Sequence, residues 1–120
     1  MPVWLLVQAD LRFNEKLKPI FPRDYRADLI AEGTDVYYGV HFVSAPAKVN
    51  PGDQVVVQLV FRAFPKDACA AFQAGKKVFL KEGPSLTRAE GMIVRRWEHE
   101  SASATLVELQ KELAAAKSNP

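Results

Sequence analysis

The chain has 120 residues, 48% of them apolar and 25% charged, with a formal net charge of +2. That length suits one domain able to bury a core without disulfides or metal, and the composition is that of an ordinary soluble globular protein. The charge is too small to call for a polyanionic partner, and the single cysteine, Cys69, cannot form an internal disulfide, so nothing requires an oxidising compartment.

The chain opens on Val3-Trp4-Leu5-Leu6-Val7, which superficially resembles the core of a signal peptide. No basic residue precedes it, and Gln8, Asp10 and Arg12 break the apolar run at every second position. From Val3 to Phe13 the odd positions are apolar, a period of two that predicts a strand with one wet face. Residues 14–22 carry Pro19, Pro22 and three charges and read as a loop. Alternation returns over 25–31, where Tyr25, Ala27 and Leu29 oppose Arg26 and Asp28, and Gly33-Thr34-Asp35 breaks it. A strand is expected over 36–43, with Val36, Tyr38, Val40 and Phe42 on one side.

Pro51-Gly52-Asp53 then supplies a turn, because proline presets one backbone angle and glycine accepts the other. Residues 54–62, with valines at 55, 56, 57 and 60, form the most β-prone stretch, which Pro65 ends. A single helical turn is expected over 67–72, capped by Asp67. The last two strands fall at 77–81 and 88–97, separated by Gly83-Pro84. Beyond them Thr105 and Glu108 have capping-box spacing, and Leu106, Leu109 and Leu113 recur at helical intervals until Asn119-Pro120. The reading is mainly β: a barrel of about six strands over residues 1–100, then one short amphipathic helix and tail over 101–120. No run approaches the roughly 20 apolar residues that cross a bilayer, so a soluble, cytoplasmic protein is expected.

Chemistry is sparse. His41 and His99 lie on different elements without a metal-ligand spacing, and His41 is expected to point outward from its strand. Cys69, in an alanine-rich turn without a nearby histidine, reads as a small buried hydrophobe. Asp24, Asp28, Glu32 and Asp35 are explained as solvated charges rather than an acid/base pair. Neither Gly83 nor Gly91 opens a phosphate loop, since no Lys-Ser/Thr comes after either. No catalytic residue, metal site or cofactor is expected. Binding features are better represented. Lys76, Lys77, Lys81, Arg88, Arg95 and Arg96 gather in the C-terminal half with Phe79 and Trp97 among them, which could face phosphates. Glu82, Glu90, Glu98 and Glu100 dilute that patch, and the wet face of two strands accounts for it more simply. The leucine stripe is expected to pack back on the barrel in preference to a partner groove. Tyr37, out of phase with Val36 and Tyr38, is the best exposed aromatic anchor.

One ordered set of short motifs spans residues 7–94. It comprises Tyr25-Arg26, Thr34-Asp35-Val36, Pro51-Gly52-Asp53, Gly75, Phe79, Glu82-Gly83, and Gly91 ahead of Ile93-Val94. In order and spacing it resembles the third, C-terminal β-barrel domain of translation elongation factor Tu. That resemblance implies a barrel without catalytic chemistry that binds macromolecules, since the family domain packs beside a GTP-binding domain, touches an exchange factor and holds the T stem of aminoacyl-tRNA. Three departures bear on RNA. The family's Gly-Gly-Arg approach is replaced by Asn14-Glu15-Lys16-Leu17-Lys18-Pro19, Glu32 stands where the family carries an RNA-reaching arginine, and Pro84 removes a backbone donor after the retained Glu82-Gly83.

The leading expectation is therefore a non-catalytic protein–protein interaction module. Its specific form would be a bacterial accessory protein that binds a toxin or enzyme by imitating elongation factor Tu, as an immunity protein does. Its contact surface is expected on the loop side, with Glu32, Tyr37, Glu82 and Arg88. The alternative is structured-RNA binding through Lys76, Lys77, Lys81, Arg95 and Arg96. The partner is then another protein, with nucleic acid not favoured, no membrane, and a homodimer open if the helix docks on a second copy.

Overall fold

A computed structural model describes residues 3–22, 25–62, 71–83 and 85–118. Six strands, β1 (Val3–Phe13), β2 (Arg26–Ala31), β3 (Tyr38–Ser44), β4 (Gln54–Phe61), β5 (Lys77–Lys81) and β6 (Thr87–Glu100), precede one helix, α1 (Leu106–Ser118). The strands close into a barrel in the order β1-β4-β3-β2-β5-β6, with every neighbouring pair antiparallel. The sequential strands β2, β3 and β4 lie side by side, and β1 returns beside β4, a Greek-key arrangement. The helical turn expected over 67–72 and capped by Asp67, together with Asp24, Pro65, Cys69, Pro84, Asn119 and Pro120, falls wholly or mostly outside the described residues.

Alternation fills the barrel. The odd residues of β1 from Leu5 to Phe13 join Leu29, Val40, Val57, Leu59, Phe61, Val78, Leu80 and Ile93 in one buried cluster. Phe61, Phe72 and Tyr38 pack ring against ring there, with centroids 5.1–6.0 Å apart. Gly91 is in register with Leu11 of β1, and a Cβ there would collide with the backbone carbonyl of Asp10. The 14–22 loop is less irregular than expected, because Ile20 pairs with Val49 through both backbone bonds and both side chains are buried over one barrel end.

The third strand starts later than its pattern suggests. Thr34 turns the chain back onto Ala31 through both its amide and its hydroxyl, and the β2–β3 ladder begins only at Leu29 with Tyr38. Val36 is therefore in the connection and 52% exposed, not inward-facing as its phase predicts. Tyr37, beside it, is 41% exposed, as expected for an aromatic out of phase.

Two even residues of β1, Trp4 and Leu6, are apolar on what should be the wet face. The helix explains them. Leu109 is fully buried with Leu6 and Val60 in a second cluster outside the barrel, against which Trp4, Val43, Trp97, Leu106 and Leu113 pack. The leucine stripe thus docks on its own barrel, across the outer surfaces of β6, β1, β4 and β3. Thr105 caps the helix by accepting the Glu108 amide at 3.2 Å, while Glu108 accepts the Ala104 amide at 3.0 Å, so the spacing acts as a capping box shifted by one residue.

Candidate functional site

Docking the helix creates a cleft. β3 carries one extra residue against β4 between Phe42 and Ser44, and β2 stops pairing with β3 at Arg26 opposite His41. The Phe42 carbonyl is thereby left beside the helix, where the Gln110 side-chain amide donates to it at 2.9 Å. Between α1, the end of β3 and the start of the β3–β4 connection lies an open cleft of about 620 Å³. That is within the usual size of a binding pocket, roughly 300–1,000 Å³. Leu106 and Val107 form part of one wall, and Pro22, Phe42, Val43, Ala45, Pro46 and Ala47 supply further apolar lining. Val107 is 61% exposed although its helix is docked.

The cleft is also cationic. Arg26 from β2 and Lys111 from α1 border it, and no Asp or Glu lines it among the described residues. His41, in register with Arg26, completes the wall. Burial, then the charges of Arg62 and Arg26, hold its imidazole below the ordinary histidine range, which favours the neutral ring. It faces outward from β3, as its phase predicts, between the buried Val40 and Phe42.

The helix is tethered at its far side by a carboxylate. Glu112 accepts hydrogen bonds from the Ser101 and Ser103 hydroxyls, and His99 Nε2 lies 3.5 Å away, an ion-pair neighbour rather than a well-formed hydrogen bond. The Ser101 hydroxyl chiefly holds the Glu112 carboxyl below its ordinary range, against a smaller opposing effect of burial and with help from Ser103 and His99.

The expected contact residues do not share one surface. Glu82 and Arg88 meet at 2.6 Å, and Tyr25 joins them by donating to Glu82 at 3.0 Å beneath the Arg88 guanidinium. Arg88, its side chain only 16% exposed, also donates to the Lys18 carbonyl at 3.2 Å. Burial, then the bond to Glu82, pushes the Tyr25 hydroxyl far above its ordinary pKa, while the Arg88 bond and then the Tyr25 bond hold Glu82 below the carboxylate range. This cluster ties the β1–β2 and β5–β6 connections to the start of β6 at the barrel end where β1, β3 and β5 finish. Glu32 is at the opposite end, its amide bonded to the Lys77 carbonyl and its carboxylate 3.9 Å from the Lys77 ammonium. Tyr37 lies in the β2–β3 connection at that same end. The grouping of Glu32 and Tyr37 with Glu82 and Arg88 is thus corrected: β2 and β5 run their full paired length between them.

The basic set is divided as well. Lys77 pairs with Glu32 and sits 5.4 Å from the Phe79 ring centroid, and Lys81 is in register with Asp28. Arg95 lies 4.2 Å over the Trp97 ring and donates to Gln8 at 2.9 Å. Its neighbour Arg96 is in register with the core residue Val7, whereas Trp97 is in register with the outward Leu6, so the adjacent arginines leave β6 on different faces. Lys76 precedes β5, its carbonyl bonded to the Ile93 amide.

No protein-family model and no curated protein matches the chain. Its function must therefore be argued from the barrel and the cleft. Among the described residues no group of three or more His, Cys, Asp or Glu could hold a metal ion, and no helix is long and apolar enough to cross a membrane. Arg26, Val107 and Lys111 escaped sequence reasoning as site residues because their meeting depends on where α1 docks. The readable trace was the apolar pair Trp4 and Leu6 on the wet face of β1.

Proposed function

We propose that the protein is a non-catalytic protein-interaction module, a stand-alone barrel of the elongation factor Tu third-domain type working in the bacterial cytoplasm. The observation that carries this reading is the α1–β3 cleft, an open concave surface with an exposed apolar side chain, Val107, and two cations without carboxylate partners among the described residues. A closed six-stranded antiparallel barrel is the architecture that the resemblance implies, which supports the family comparison at the level of fold. Ion pairing of Lys77 and stacking of Arg95 leave the basic set poorly arranged for phosphates, which weighs against structured RNA as the main partner.

The test is capture from nuclease-treated native extract by the immobilised protein and by its Val107→Glu variant. Val107 is exposed in the first helical turn, where a carboxylate favours the helix, so the variant folds normally. A defined protein retained by the wild type and lost by the variant is the expected result. Recovery of tRNA, or loss of every partner after nuclease, would place RNA binding first.

A further inference from the structure

We infer that the α1–β3 cleft receives an acidic peptide segment of a protein partner, with an apolar side chain of that segment seated on Val107. This rests on the protein-interaction reading above and names the chemistry of the partner. Val107 and Lys111 are four residues apart on α1 and therefore adjacent on one helix face. Arg26 stands on the other wall, opposite His41 in the β2–β3 ladder. The cleft thus has an apolar lining that includes Leu106, Val107, Ala45 and Pro46, with one permanent cation contributed by β2 and one by α1.

Among the described residues four cations elsewhere are matched to carboxylates, Arg12 with Glu15, Arg62 with Asp28, Lys77 with Glu32 and Arg88 with Glu82, while others such as Lys48, Lys76 and Lys81 are not. Arg26 and Lys111 have no such partner among the described residues, although both border a concave surface. Charge complementarity therefore selects carboxylates flanking a hydrophobic residue. Bringing a basic segment between Arg26 and Lys111 would place like charges together, which discriminates against it.

The experiment uses the full chain and three short labelled peptides built around a central leucine pair, with Glu, Ser or Lys at the flanking positions. Binding is followed by anisotropy and located through the backbone amide signals of residues 41–45 and 106–111. The Glu peptide is expected to shift these signals and to bind at least about tenfold more tightly than the Lys peptide, with affinity falling as salt rises. The variant Arg26→Glu/Lys111→Glu should reverse that preference, and Arg26→Gln/Lys111→Gln should abolish it. Equal binding of all three peptides at these amides would overturn the acidic partner while leaving protein interaction intact. Failure of every peptide to move them would also overturn it, and whether the cleft takes protein at all is read separately from the Val107→Glu capture. Concentration-dependent dimerisation that Val107→Glu removes would name a second copy as the occupant and overturn the proposal.

Discussion

The barrel interior and the patch beneath the helix are both hydrophobic, but they are built in different ways. Inside, a period of two brings side chains from all six strands together, so each apolar residue is held by neighbours on several ladders. Outside, only Leu6, Val60 and Leu109 are fully buried among the described residues, and the patch depends on one short helix held by a capping box, the Gln110 bond and the Glu112 tether. Trp4 contributes there with its indole N–H buried and unpaired among the described residues, a donor that costs stability. The interior is therefore the part that holds the fold, and the exterior is a secondary attachment that builds the cleft.

That contrast can be broken from either side. Phe61→Ala should have the largest effect, a loss of about 3–5 kcal/mol, because it removes a fully buried ring from the aromatic cluster. Denaturant unfolding of the whole chain should show one transition moved to a lower midpoint. Leu109→Ala should cost about 2–4 kcal/mol of helix docking, with a different signature. Hydrogen exchange should quicken over residues 106–113 while the strand ladders keep their protection; equal loss across the ladders would make helix and barrel one unit. Arg88→Ala should be smaller, about 1–2 kcal/mol, since it removes bonds to Glu82 and Lys18 from a partly exposed cluster. Hydrogen exchange should quicken only at the end where β1, β3 and β5 finish, which the cleft shares through Tyr25 and Phe42, and stay unchanged around Glu32 and Tyr37.

The finest adjustment is by pH. Glu112 is depressed in the folded state, so its contribution is present above the ordinary carboxylate pKa and is lost as pH falls through the lower folded value. Acidification from that range should loosen the helix before the barrel, read as greater solvent exposure of Trp4 and Trp97 fluorescence. Glu112→Gln should flatten this acid dependence, and an unchanged profile would show that the carboxylate does not tether the helix.

Much of the fold was legible because the barrel is written in local alternation. The odd residues of β1, the valines of β4, the Pro51-Gly52-Asp53 turn and the Thr105–Glu108 cap each act within a few residues. Strand order was not legible: β1 beside β4 is a long-range choice that no local period records. Which loops share an end follows instead from the alternating direction of successive strands, which puts the β2–β3 connection of Glu32 and Tyr37 opposite the β5–β6 connection of Glu82. Tyr25 and Glu82 are 57 residues apart in sequence yet hydrogen-bonded, which neither strand pattern shows alone. The cleft was least legible, since its walls come from β3 and α1 and its cations from β2 and α1, elements with separate periodicities.

The most direct test of the cleft as the interaction surface is site-specific photo-crosslinking in nuclease-treated native extract. One crosslinker replaces Val107 in the cleft, and the other replaces Val36, another exposed valine, at the far barrel end. A discrete protein adduct at position 107 and none at 36 is the predicted result. The same adduct at both positions, or one at 36 alone, would contradict the account.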